Sequence, residues 1–224
     1  MRRSYAPWTT NPPDFFSKTT RQLTLMTFTM YIGGRPKNQW TMPELERLLR
    51  ACTGITELSV CGCLSDPPIL GLMEHLRPTR LNLAVLDLVS AFSVPNSNFA
   101  HPLFQRVSHL LLCDIEEVAT PVWHHWTALS RLPALTHLAV IRGDLVPTIL
   151  ATLPRLQVLV LFSEKLEVEA AHSWDRRVVV VVADYQSFWD NWHEGVGLWM
   201  RADAFLDQKR RGDVPESCYQ LPAC

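Results

Sequence analysis

Between residues 132 and 162 the chain writes one phrase twice. Leu135-x-x-Leu138-x-Val140 is followed 21 residues later by Leu156-x-x-Leu159-x-Leu161, and each is led in by Leu-Pro, at Leu132-Pro133 and Leu153-Pro154. A strand-like phrase that recurs at this distance implies units stacked in a row. Each unit is too small to bury its own apolar face and does so against its neighbours.

The same x-Leu-x-Leu core can be followed along the chain. Its first apolar position falls at Leu23, Leu58, Leu81, Leu110, Leu138 and Leu159, with Val179 as a seventh. The steps are 35, 23, 29, 28, 21 and 20 residues. Between the strands lie helix or turn signals. Thr41-x-x-Glu44 is a capping box ahead of a helix over Met42–Ala51, with Leu45, Leu48 and Leu49 on one side. Asp66-Pro67 opens a helix through Leu76, Thr120-Pro121 one through Leu132, and a further helix runs from Asp144 to Leu153. The polar stretch 90–102 reads as an insertion. Val178–Val182, entirely β-branched, reads as a strand buried on both faces.

These signals predict an α/β fold: a curved parallel sheet with helices on its convex side. The plan is an irregular lead-in over 1–19, a repeat array over 20–183, a helical cap over 184–212 and a loose tail over 213–224. The cap is aromatic (Trp189, Trp192, Trp199, Phe205), with Gly195 and Gly197 as candidate breaks. Lys209-Arg210-Arg211 before Gly212 reads as a solvated helix end. A doubly wound sheet, the competing architecture, would want longer helices and a Gly-rich strand-to-helix turn.

Over residues 23–182 the phrases resemble the leucine-rich repeat family in its irregular intracellular form. That resemblance implies a solenoid that serves as a protein-interaction scaffold or adaptor. The family places Asn or Cys three residues past the last leucine; here that slot holds Cys63, Leu86, Ile115, Gly143 and Glu164, of which Cys63 alone fits. The texture is also similar to that of fungal F-box-associated repeat proteins, although no F-box-like segment is read ahead of the repeats.

Period-2 alternation then nominates a binding face. If the leucines point inward, the concave side carries Gln22 and Thr24; Glu57, Ser59 and Cys61; Arg80 and Asn82; His109, Leu111 and Cys113; His137, Ala139 and Ile141. It continues with Val158, Val160 and Phe162, and ends with Val178, Val180 and Val182. The polar part, Glu57, Ser59, Arg80, Asn82, His109 and His137, is the expected exposed partner-binding site. The apolar part is expected to lie under the aromatic C-terminal segment, or else to serve as a groove for a partner's apolar segment.

Candidate chemistry is sparse. Cys61-x-Cys63 lacks a second pair at zinc spacing. His124 and His125 are adjacent on an expected helix and diverge by about 100°. His109 and His137 share a slot in successive phrases, about 4.8 Å apart if the strands pair, and define an alternative metal- or small-ligand-binding reading. No nucleophile elbow, P-loop or dinucleotide fingerprint is present, so the expectation is a non-enzyme without cofactor or bound metal. A net charge of −1 argues against a nucleic-acid partner. No apolar run spans a membrane, and six cysteines without framework spacing suit an intracellular, reducing location. An orphan repeat protein without a dedicated partner is the remaining alternative.

Overall fold

Each leucine-bearing phrase folds as a short strand. The computed structural model describes residues 15–26, 42–61, 67–84, 99–113, 126–163, 175–182 and 196–221. Its strands are β1 (Gln22–Met26), β2 (Glu57–Cys61), β3 (Arg80–Ala84), β4 (His109–Cys113), β5 (His137–Val140), β6 (Val158–Ser163) and β7 (Val178–Val182). They form one sheet in strict chain order, every neighbouring pair parallel. The order never reverses, so the switch point of a doubly wound sheet is absent. The fold is α/β, and the sheet is open, with β1 and β7 as its edges.

A shared carbonyl starts each of strands β2 to β6. The Arg21 oxygen accepts from the backbone N–H groups of Thr56 (2.8 Å) and Glu57 (3.0 Å). Thr56 does the same for Thr79 and Arg80, Thr79 for Ser108 and His109, Ser108 for Thr136 and His137, and Thr136 for Gln157 and Val158. In four of these steps a hydroxyl adds a further bond. Thr56 donates to Arg21 O (3.2 Å), Thr79 to Thr56 O (3.2 Å), Ser108 to Thr79 O (3.1 Å) and Thr136 to Ser108 O (3.3 Å). A Ser or Thr just before each of β2 to β5 thus joins two units side by side, by bonds between residues 23 to 35 apart in the chain.

The connections pack on one face. They comprise α1 (Phe15–Thr19), α2 (Met42–Ala51), α3 (Pro67–Leu72), 3-10 turns at Pro102–Phe104, Trp126–Arg131 and Gly143–Leu145, and α4 (Val146–Thr152). Leu45, Leu48 and Leu49 of α2, Met73, Phe104, Leu129 and Ile149 meet the strand leucines in a first core that runs the length of the sheet. Leu58, Leu81, Leu110, Leu138 and Leu159 are fully buried there. A second core lies on the other face. There Leu198, Trp199, Ala202, Phe205 and Leu206 of α5 (Val196–Arg211) pack with Leu111, Ala139, Val160, Phe162, Val179 and Val181.

Several local expectations change. Residues 15–19, read as irregular, make a helical turn in which the Thr19 hydroxyl donates to Phe15 O (2.6 Å). The helix begun at Pro67 stops at Leu72, four residues early, because Met73–His75 turn instead. The described part of the helix expected up to Leu132 is a 3-10 turn, and Gly197 sits inside α5 without breaking it. The tail is not loose as far as Leu221, which is buried. Thr41, Asp66, Cys63, Thr120, His124, His125, Trp189 and Trp192 lie outside the described residues.

The largest correction concerns β7. Val160 pairs with Val179 and Leu161 with Val180, so Val178 and Val180 join the first core while Val179 and Val181 face α5. This is one residue out from the expected register, which put Val178, Val180 and Val182 on the concave side. Five consecutive valines carry no alternation to set a face, and a one-residue slip exchanges every side chain. The register is set before the strand. Arg177 grips Asp175 through Nε and Nη2 (2.9 and 2.8 Å), and its Nη1 donates to Leu156 O (3.3 Å). Its own carbonyl receives Leu159 N–H (2.9 Å).

Gly54 occupies a close approach. A Cβ there would fall on the Ser17 carbonyl oxygen, at a point where Arg21 Nη1 donates to both Ser17 O and Gly54 O (3.2 Å each). Gly54→Ala is therefore expected to lower the melting temperature, whereas Gly71→Ala, with open space around it, is expected to hold or raise it. Leu110→Ala should cost about 2–5 kcal/mol in a denaturant titration, the range for emptying a close-packed leucine site.

Candidate functional site

Register converts the sequence alternation into rows that cross the strands. The first residues of the strands pair as Gln22–Glu57–Arg80–His109–His137–Val158, and the next such row reads Thr24–Ser59–Asn82–Leu111–Ala139–Val160. All six nominated site residues therefore share one face. The row turns from polar to apolar at the same point as α5 begins to cover the sheet.

Their exposure differs from expectation. Glu57 is 3% exposed and His137 7%, and Ser59 and Asn82 are buried too; Arg80 and His109 are half-buried. Parallel neighbours on a sheet stand about 4.8 Å apart, close enough for side chains in a row to cover one another. Asn82 Nδ2 donates to Ser59 Oγ at 3.0 Å, and Gln22 Nε2 reaches Glu57 Oε1 at 3.4 Å. Burial pushes the Glu57 carboxyl above its ordinary range, against the opposing pull of the Arg80 charge. The exposed part of the face is Gln22 and Thr24 on β1, with the half-buried Arg80 and His109 beyond the buried Glu57.

His109 and His137 meet as the spacing implies. Their rings stack with centroids 4.1 Å apart and planes 16° from parallel. Trp199 of α5 presents an edge contact to both, at 5.3 and 5.8 Å. Each imidazole Nδ1 is engaged by the hydroxyl just before it, Ser108 Oγ at 2.8 Å and Thr136 Oγ1 at 2.7 Å. His137 Nε2 lies 3.1 Å from Asp203 Oδ1 on α5. The Thr136 hydroxyl also donates to Ser108 O at 3.3 Å.

Stacked rings aim their in-plane lone pairs side by side instead of at one point, a poor arrangement for a shared metal. Among the described residues no group of three His, Cys, Asp or Glu side chains could hold a metal ion. Cys61 is buried among apolar neighbours, and Cys52 and Cys113 are buried likewise. Among the described residues no helix is long and apolar enough to cross a membrane.

The basic trio also reads differently. Arg210 and Arg211 pair with Asp207 (2.7 Å) and Asp213 (2.8 Å), but Lys209 is buried, its Nζ 4.1 Å from the Tyr219 ring centre. Gly212, at φ 79°, ends the helix: Gly212 N–H bonds Lys209 O and Asp213 N–H bonds Gln208 O, a Schellman closure. Sequence reasoning missed Ser108, Thr136, Trp199 as a histidine contact, and Asp203. A hydroxyl preceding each of β2 to β5 was a readable signal for the first two. Compared with known proteins, the chain matches no family model, no curated protein and no solved structure.

The site makes two predictions. Burial, the His137 ring and Arg80 together hold His109 down at about 3, against an ordinary 6.5. The unfolded chain then binds a proton that the folded chain refuses between those values, so His109 makes stability fall as pH drops from 6.5 towards 3. Glu57, raised by burial, has the opposite sign and adds stability as pH falls through its folded value. The melting temperature of His109→Gln relative to wild type should accordingly improve on acidification, and a pH-independent difference would contradict the assignment. Asp203→Ala should lower stability by about 0.5–1.5 kcal/mol, read by denaturant titration, because it strips the half-exposed partner of a buried imidazole.

Proposed function

We propose that this chain is a non-catalytic protein-interaction scaffold, a leucine-rich-repeat-like solenoid whose C-terminal aromatic helix covers the apolar half of its concave face. The observation that carries the reading is the polar row at the start of the strands. Register places five polar side chains in line on one face, with Gln22 exposed at one end and α5 against His109 and His137 at the other. Gln22, Thr24, Arg80 and His109 would touch the partner. Glu57, Ser59, Asn82 and His137, being buried, would position them. A rigid sheet bearing side chains of fixed orientation suits binding without rearrangement, which limits the entropy lost on association.

The experiment is affinity capture or proximity labelling from the native cell with wild type and two variants, Thr24→Arg and Arg80→Glu. Thr24→Arg is expected to leave the folding stability within about 0.5 kcal/mol of wild type, as an exposed substitution should. Both variants should lose the same subset of partners. An unchanged partner set in both would remove this face as the binding surface.

A further inference from the structure

The two edges of the sheet are finished differently. On the outer edge of β7, Val180 N–H donates to Tyr219 O (2.7 Å) and Leu221 N–H donates to Val180 O (2.8 Å), a single parallel bridge opposite Gln220. The flanking side chains go to separate places. Tyr219 lies against the Lys209 ammonium, which is buried and finds no hydrogen-bond acceptor among the described residues. Leu221 enters the second core beside α5. Gln220, between them, is exposed.

This is the anatomy of strand addition. Main-chain bonds to a sheet edge supply attachment, and alternate side chains in pockets supply selectivity. Among the described residues the chain's own segment makes one bridge, and it is preceded by exposed residues 215–217. Two residues further along β7, Val182 keeps an apolar side chain 41% exposed. A longer strand would pair further along the same edge. The Lys209 ammonium, lacking an acceptor, selects for an aromatic face, the one neutral group that still attracts a cation without hydrogen-bonding it.

We propose that the β7 edge is a strand-addition site held in cis by residues 219–221, and that its partner is an extended protein segment running parallel to β7 with an aromatic residue two positions before an aliphatic one. The cis segment is the template for that chemistry: aromatic on Lys209, any residue outward, aliphatic into the second core. The site is at the opposite end of the sheet from Gln22 and Thr24, and stands or falls separately from the scaffold reading of the polar row.

The test uses the full-length chain carrying Leu221→Asp, which vacates the aliphatic pocket, and a fluorescent peptide of residues 215–221 with Cys218→Ser. Saturable binding to the variant is expected by anisotropy. Wild type, its site filled, should bind roughly tenfold more weakly or worse, as should the variant offered a Tyr219→Ala peptide. A variant with wild-type circular dichroism that ignores the peptide, or binds both peptides alike, overturns the proposal. Hydrogen exchange on wild type decides the matter if the variant does not fold. Opening of the cis segment should make the Val180 amide exchange roughly tenfold or more faster than the Leu159 amide, which is bonded within the β6–β7 pair. Equal protection of the two would show a segment that never leaves, and would equally overturn it.

Discussion

One carbonyl oxygen per unit holds the architecture in register. The oxygens of Arg21, Thr56, Thr79, Ser108 and Thr136 each receive two successive backbone N–H groups from the next unit, and four of them a hydroxyl as well. Fixing the first residue of a strand fixes the rest, because side chains alternate strictly and a slip of one would turn the leucines outward. The polar row and the buried leucine rows are two results of the same bond. Where the ladder stops, at Gln157, the Asp175–Arg177 clamp takes over and the phase moves by one residue.

That bond also separates two interiors of different kind. The first core is mostly aliphatic and runs from β1 to β7, and the described connections contribute to it whether they form a helix or a 3-10 turn. The second reaches from Cys61 and Ala84 at the ends of β2 and β3 to the C-terminal strands, which offer valine, alanine and phenylalanine to α5. Between the polar row and the second core sit the stacked imidazoles, the Trp199 edge and Asp203, so the change from polar to apolar on the face is bridged by groups that are partly both.

Strand positions and chain order were legible because the leucine spacing is local and repeated six times. The row of Glu57, Arg80, His109 and His137 followed from period-2 alternation alone, and so did the pairing of the two histidines. The β7 face was not legible, since five identical valines contain no phase and the clamp that sets it precedes them. Nor was burial of the polar row, because the phrases mark which side chains share a face and not what covers them. Asp203 lies 66 residues from His137 and on a helix whose rotation is decided by Trp199 and Phe205 finding the sheet. A contact of that separation leaves no mark in local spacing. Lys209 was misread for a related reason: Tyr219, which covers it, belongs to a segment that looked featureless by composition.

Because each strand is anchored at its first peptide, the loop that delivers it is free in length. Steps between successive strands from β1 to β6 range from 21 to 35 residues, yet the pairing is unaltered by them. A lineage could therefore gain or lose whole modules, or lengthen the excursions between them, without retuning the rest. The permitted edits are integers: one complete module at a time, never a fraction of one.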